Sequence, residues 1–346
     1  MTKDDVIHQE DDGNLTVLHP HFVEAKDRLF RLALGGAPKQ GELILILGPT
    51  RSGKTYLKDR LITELMRVNP ACTDELAQEI PFIEEEAEAP HKGSFDYDEL
   101  HKRLLNQLIP FSNVPRVKDI RPALIDALNK RATRWVMIDE AHHLLYTTSR
   151  SDDLSRRVNQ MEAIKGLINQ TGIQLLFFGN QAIEAAVRLS PQLRSRTKTI
   201  RLGGYLMDIS KEREVFANFC RSILSAHGFQ DHGGEFNPQW IGEMMARCTG
   251  SIGAFAEAVD QCRRSGGELR LSDIADYLPD CEGADEAFRE EYDFRKRSEA
   301  ANSYKKLAQN AMKSKDDSTH ARSSGSKNRA PSRGSARDAA HDASTD

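Results

Sequence analysis

The apolar run Leu43 to Leu47 breaks at Gly48 into PTRSGKT, and this junction constrains the chain more than any other stretch of it. Five branched residues in a row read as a strand buried on both faces, as in a parallel sheet covered by helices on either side. From Lys54 the stretch KTYLKDRLITELMRV carries the apolar spacing of a helix packed on such a sheet. Gly48, Gly53, Lys54 and Thr55 fill the fixed places of a phosphate-binding loop, and Pro49, Thr50, Arg51 and Ser52 complete it. Glycine at 48 lets the chain leave the strand tightly, and glycine at 53 lets the backbone pass close to a phosphate. Successive amides and the helix N-terminus then surround the anion. Lys54 would reach the β and γ phosphates, and Thr55 would place its hydroxyl on magnesium. The loop implies a nucleoside triphosphate without saying what is done with it.

A chain of 346 residues suffices for one large or two modest domains. No uninterrupted apolar run is long enough to span a bilayer, and MTKDDVIHQEDDG lacks the basic and apolar parts of a secretory signal, so no membrane partner and a cytoplasmic location are expected. The five cysteines (72, 220, 248, 262 and 281) are scattered, with no pair at zinc-ligand spacing, and read as reduced residues. Charge is uneven. From Arg295 to Asp346 twelve Lys or Arg face six Asp or Glu, a net of +6 in a chain whose total is −4. The Ser-, Ala-, Gly- and Arg-rich stretch after about residue 310 is expected to be disordered, and its charge could assist contact with a nucleic-acid backbone or simply keep the chain soluble.

The spacing predicts a helix within residues 14 to 40, on Phe22, Ala25, Leu29, Phe30 and Leu32, ahead of the first strand. IPFIEEEA (80 to 87) reads as a weak second strand. SFDYDELHKRLLNQLI reads as a helix capped by Ser94 or Asp96, and a further helix is expected over roughly 117 to 132. Then RWVMIDEAHHLL supplies a short apolar strand ending in two carboxylates, the place for acidic groups at the carboxyl edge of a parallel sheet. Asp139 would bind magnesium, directly or through water, and Glu140 would take a proton from the water attacking the γ phosphate. His142 and His143 invite a zinc reading, which is rejected because adjacent side chains diverge and no third ligand stands at a usable spacing; His142 reads instead as a contact near the γ phosphate, in a subunit interface, or behind the carboxylates. After a helix over roughly 154 to 169, GIQLLFFGN (172 to 180) forms a buried strand whose last residue, Asn180, could hold the attacking water or cap the next helix. Residues 199 to 202 supply a fifth strand, with Arg194 and Arg196 in the polar turn before it.

Taken together, GPTRSGKT, WVMIDEAHHL, LLFFGN and SPQLRSRT resemble, in order and spacing, the AAA+ ATPases, and within them the small TniB/TnsC-type ATPases of bacterial DNA transposition. The resemblance runs over roughly residues 20 to 280. It implies an α/β fold: an αβα P-loop core with a five-stranded parallel sheet, then a small helical lid, with ATP held where subunits meet. The expected divisions are an N-terminal helical extension (1 to 40), the core (41 to 203), the lid (204 to 285) and a last segment (286 to 346) that starts helical and ends as the basic tail. Carried onto this chain, the family's roles make Lys54 and Thr55 the phosphate and Mg2+ contacts, Asp139 and Glu140 the metal carboxylate and base, Asn180 the first sensor and Arg196 the arginine finger, with Arg194 its substitute.

Three apolar-faced helices after the fifth strand fit a lid, but TGSIGAF places Ile252 and Gly253 where many AAA+ proteins carry a nucleotide-sensing arginine. The function the resemblance implies is an ATP-dependent regulator that forms a homo-oligomer, ring or helical filament, on duplex DNA and links a target-selection protein to the transposase. Lys118, Arg121, Lys130, Arg131, Arg156, Arg157 and the tail are the candidate DNA contacts. Two alternatives stand beside it: another AAA+ machine such as a helicase loader or secretion ATPase, and a nucleotide-gated interaction module with little turnover.

Overall fold

A computed structural model describes residues 7–9, 15–36, 41–69, 78–90, 93–109, 120–146, 153–229, 236–265, 270–280 and a few positions between 288 and 296. The chain divides into two compact units, Met1–Glu291 and Tyr292–Asp346. The elements described below belong to the first. The basic tail, Lys118, Cys72 and Cys281 lie outside the described residues.

Five parallel strands form the central sheet: β3 (Glu42–Leu47), β4 (Phe82–Glu86), β5 (Trp135–Asp139), β6 (Gln174–Gly179) and β7 (Thr197–Arg201), in the order β4-β5-β6-β3-β7. Side chains alternate across a strand, and here that period distributes them between two cores. Leu43, Leu45, Leu47, Val136, Ile138, Leu175 and Phe177 face one core, and Ile44, Ile46, Trp135, Met137, Leu176 and Phe178 face the other. The second is covered by α1 (Pro20–Leu34) and α2 (Lys54–Val68), through Phe22, Ala25, Leu29 and Ala33 on the first and Leu57, Leu61 and Leu65 on the second. The opposite face carries α3 (Tyr97–Leu108), α4 (Arg121–Lys130) and α5 (Asp153–Thr171). The parallel αβα architecture is therefore the one the buried apolar runs demand.

The acidic segment 80 to 87 does form a strand, and β4 tolerates three glutamates because it is the edge of the sheet. Asp96, not Ser94, caps α3 by accepting the Glu99 N–H at 3.0 Å. Two features went unforeseen. Residues Ile7–Gln9 and Leu15–Val17 pair as a small antiparallel ladder, β1 with β2, and the following helix begins only at Pro20, whose fixed φ suits a first helical position. The fifth strand opens at Thr197 rather than Thr199; the helix expected after Asn180 is α6 (Ala182–Val187), and the turn following it holds a further short helix, α7 (Pro191–Ser195), so that Arg194 is helical.

After β7 the chain forms α8 (Ser210–Ala226), α9 (Pro238–Arg247), α10 (Ile252–Arg264) and the short α11 (Leu271–Ile274). Their apolar sides, Phe216, Ile223, Met245, Phe255 and Val259 among them, close a third core of their own. Asn237 and Ser251 cap α9 and α10, accepting the N–H groups of Trp240 and Ala254. Cys220, Cys248 and Cys262 are buried free thiols, and burial pushes Cys248 up to about 12, so it stays protonated and inert.

Candidate active site

The phosphate-loop sequence leaves the carboxyl end of β3, which lies between β6 and β7, and runs into α2. Gly53 takes a left-handed conformation, φ 86°, at the head of that helix, and Arg51 also has a positive φ of 65°. The loop is tied to the neighbouring strand by the Gly48 N–H donated to Gly179 O at 3.1 Å. Asn180, the next residue, is therefore brought beside the loop. Its Oδ1 accepts the N–H of Ala182 at 3.0 Å, a local bond two residues on, while the cap position of α6 is Gln181, which makes no side-chain cap.

Lys54 is buried, and its ammonium donates to the carbonyls of Gly48 and Pro49 at 3.0 and 2.7 Å. Burial lowers its pKa from the ordinary lysine value, partly offset by Glu140 and Asp139. The Ser52 hydroxyl oxygen is buried with no hydrogen-bond partner. An orphaned hydroxyl and an ammonium turned onto loop carbonyls are groups that a phosphate would satisfy.

Asp139 ends β5 and is buried, and Glu140 follows it in a left-handed turn, φ 47° and ψ 33°. That conformation is uncommon for glutamate and costs energy. It has an electrostatic consequence: the Asp139 side chain is 7% exposed while that of Glu140 is 38% exposed, so adjacent carboxylates sit in different surroundings. Asp139 Oδ1 accepts the Glu140 N–H at 2.9 Å, and Oδ2 faces the Thr55 hydroxyl at 3.4 Å. Thr55 and Asp139 form a hard-oxygen pair suited to Mg2+.

His142 and His143 stand in a 3-10 turn (Ala141–Leu145). The expectation that their side chains diverge is corrected here: the tight turn brings the rings within 4.2 Å, although Nδ1 of His143 lies 2.6 Å from Ala87 O while Nδ1 of His142 approaches Glu140 Oε2 at 3.1 Å without hydrogen-bond geometry. Burial and His143 lower the His142 pKa from the ordinary histidine value, partly offset by Glu140.

Sequence reasoning missed Lys58. One turn after Lys54, it bridges Asp139 Oδ2 at 3.3 Å and Glu84 Oε2 at 3.1 Å. Burial works against its charge, but Glu84 and Asp139 outweigh it and raise the pKa above the ordinary lysine value. A lysine four residues after the loop lysine was the available signal, since i and i+4 share a helix face.

Arg196 is not brought to this cluster. Its carbonyl accepts the Leu43 N–H, which places it at the amino end of β3, and its guanidinium bonds the Asn169 amide oxygen. Strand rise puts the phosphate loop about 16 Å away along β3, farther than an arginine side chain extends. Arg194 is exposed on α7. Of the proposed DNA contacts, Arg121 and Arg131 instead hold backbone carbonyls of Ala163, Leu108 and Gln78, while Lys130 pairs with Asp126 and Arg156 bonds Ser94.

The absent lid arginine has a steric reason. The N-terminus of α10 sits on the phosphate loop: Ser251 Oγ donates to Arg51 O at 3.3 Å, Arg51 Nε pairs with Glu257 Oε2 at 2.9 Å, and a Cβ on Gly253 would collide with the Arg51 carbonyl. Gly253→Ala is therefore expected to push α10 off the loop and lower stability by about 1–3 kcal/mol, as overpacking does. Chemical denaturation measures it, and an unchanged midpoint would contradict the contact.

A family model described as the bacterial TniB protein matches residues 14–207. The structure of the Aeropyrum pernix ORC2 protein in its ADPNP-ADP complexes is similar at a TM-score of 0.42, with 17% identity over 75% of this chain and 68% of that one. No curated protein matches the sequence.

Proposed function

The chain belongs to the bacterial TniB family, and on that premise we propose that it is an ATP-hydrolysing regulator of DNA transposition that assembles on duplex DNA and connects a target-selection protein to the transposase. The observation that carries the ATP chemistry is the convergence of Lys54, Thr55, Asp139 and Glu140 at one sheet edge, beside a Ser52 hydroxyl that lacks a partner. Lys54 and the loop amides bind the phosphates, and Glu140, the more open carboxylate, accepts a proton from water as it attacks the γ phosphorus, giving ADP and phosphate. Thr55 and Asp139 would hold Mg2+, which would neutralise phosphate charge when bound. Asn180 orients the water through its amide NH2, which the bond to Ala182 leaves available.

Arg196 completes a neighbour's site rather than its own, which makes the contact between copies head-to-tail. Repetition of such a contact gives a ring or a helical filament. Hydrolysis removes the γ phosphate and with it the reason for that contact, so the assembly is nucleotide-gated.

DNA engagement through backbone phosphates would make binding indifferent to sequence and steep in salt. With duplex DNA and a slowly hydrolysed ATP analogue the chain is expected to form large assemblies, and far fewer with ADP, measured as particle mass by light scattering. A chain that stays monomeric with ATP analogue and DNA together would sink this reading.

A further inference from the structure

Lys58 has no place in the phosphate-loop pattern, yet its ammonium lies on the carboxylate assigned to magnesium. Lys54 and Lys58 leave one face of α2 a turn apart. The first is turned back onto the loop carbonyls, and the second is divided between Asp139 Oδ2 and Glu84 Oε2. Asp139 Oδ2 is also the oxygen facing Thr55, whereas Oδ1 is taken by the Glu140 N–H. The oxygen that would hold a divalent cation is thus the one the ammonium covers. The two ends of the bridge differ in exposure: the side chains of Lys58 and Asp139 are 14% and 7% exposed, that of Glu84 is 42% exposed at the sheet edge.

The geometry points to Lys58 as a charged placeholder that balances Asp139 before a divalent cation binds and withdraws onto Glu84 when one arrives, so that the Lys58–Glu84 pair sets the cation concentration at which the nucleotide site fills. A buried carboxylate left without a counter-charge is costly, and a lysine held beside a dication is repelled by it. Asp139 needs the lysine in the first state, and Glu84 receives it in the second. Lys58 is a positioning residue in this account, acting on the cation through Asp139 and touching no reacting atom.

The inference rests on the nucleotide reading above, and its test separates the two. Binding of a fluorescent ATP analogue to the full chain would be followed from EDTA through a Mg2+ titration, with Mn2+ binding read in parallel by electron paramagnetic resonance. Lys58→Met is expected to lower the half-saturating cation concentration by about tenfold, because one repelling charge is gone. Lys58→Arg keeps the charge and should stay near wild type. Glu84→Gln should shift the midpoint the other way, since the lysine then has only Asp139. A residue that merely packs would move both variants in the same direction, and that result, or equal midpoints in all four proteins, overturns the placeholder role. Analogue binding with an unaltered cation dependence removes the placeholder and leaves the nucleotide reading standing; no binding by wild type at any Mg2+ concentration removes both.

Discussion

Glu140→Gln is expected to slow ATP hydrolysis by about a hundredfold or more while leaving nucleotide affinity nearly unchanged, since a positioned general base contributes on this order. The glutamine keeps the size of the side chain and removes only its basicity. The left-handed turn at Glu140 gives the expectation its structural content, because it leaves this carboxylate open while Asp139 beside it is buried against Thr55 and Lys58. Two acids with one role would be interchangeable; these are not. Lys54→Ala should behave differently and weaken phosphate binding itself, because its ammonium is the cation seated in the loop. Parallel analogue-binding and phosphate-release measurements on both variants decide the matter. Turnover by the glutamine variant close to wild type would remove Glu140 from the chemistry.

Arg196→Ala is expected to reduce turnover by about a thousandfold in the assembled state, the low end of what an arginine supplied across a subunit boundary contributes. Arg196 lies at the amino end of β3, bonded to Asn169 and out of reach of its own loop, so a direct contact with a γ phosphate would have to be made to a neighbouring copy. The variant should still bind nucleotide as a single chain. Mixing it with Lys54→Ala should restore activity, because some interfaces then combine an intact loop with an intact arginine. Arg194→Ala, altered two residues earlier on α7, serves as the comparison and should matter less. Unchanged turnover in assembled Arg196→Ala, or no recovery in the mixture, would refute the interface arrangement.

Periodicity made the three inner strands and the three long helices after β7 legible, because burial on both faces leaves unbroken apolar runs and burial on one helix side leaves spacings of three and four, whereas the edge strands β4 and β7 carry weaker patterns. It was silent on β1 and β2, whose three residues each are too short to show a period. It also misplaced the start of β7, since the polar residues Thr197 and Lys198 pair with β3 through backbone groups that carry no side-chain signal. Arg121 and Arg131 looked like free surface charge because a side-chain bond to a distant carbonyl leaves no mark on local pattern. Sequence spacing likewise kept His142 and His143 apart, where a 3-10 turn brings their rings close at a tilt.

The parallel αβα core, the GPTRSGKT loop at its strand end and the paired carboxylates were legible in the sequence alone, since these depend on residue type and on separations of a few positions. Which groups meet across the fold emerges from long-range packing: Lys58 bridging β4 and β5, Ser251 and Gly253 on the loop after β3, and Arg196 at the end of the sheet away from it. Those pairings join residues tens to hundreds of positions apart, and the chain settles them through strand order and register, which no local spacing encodes.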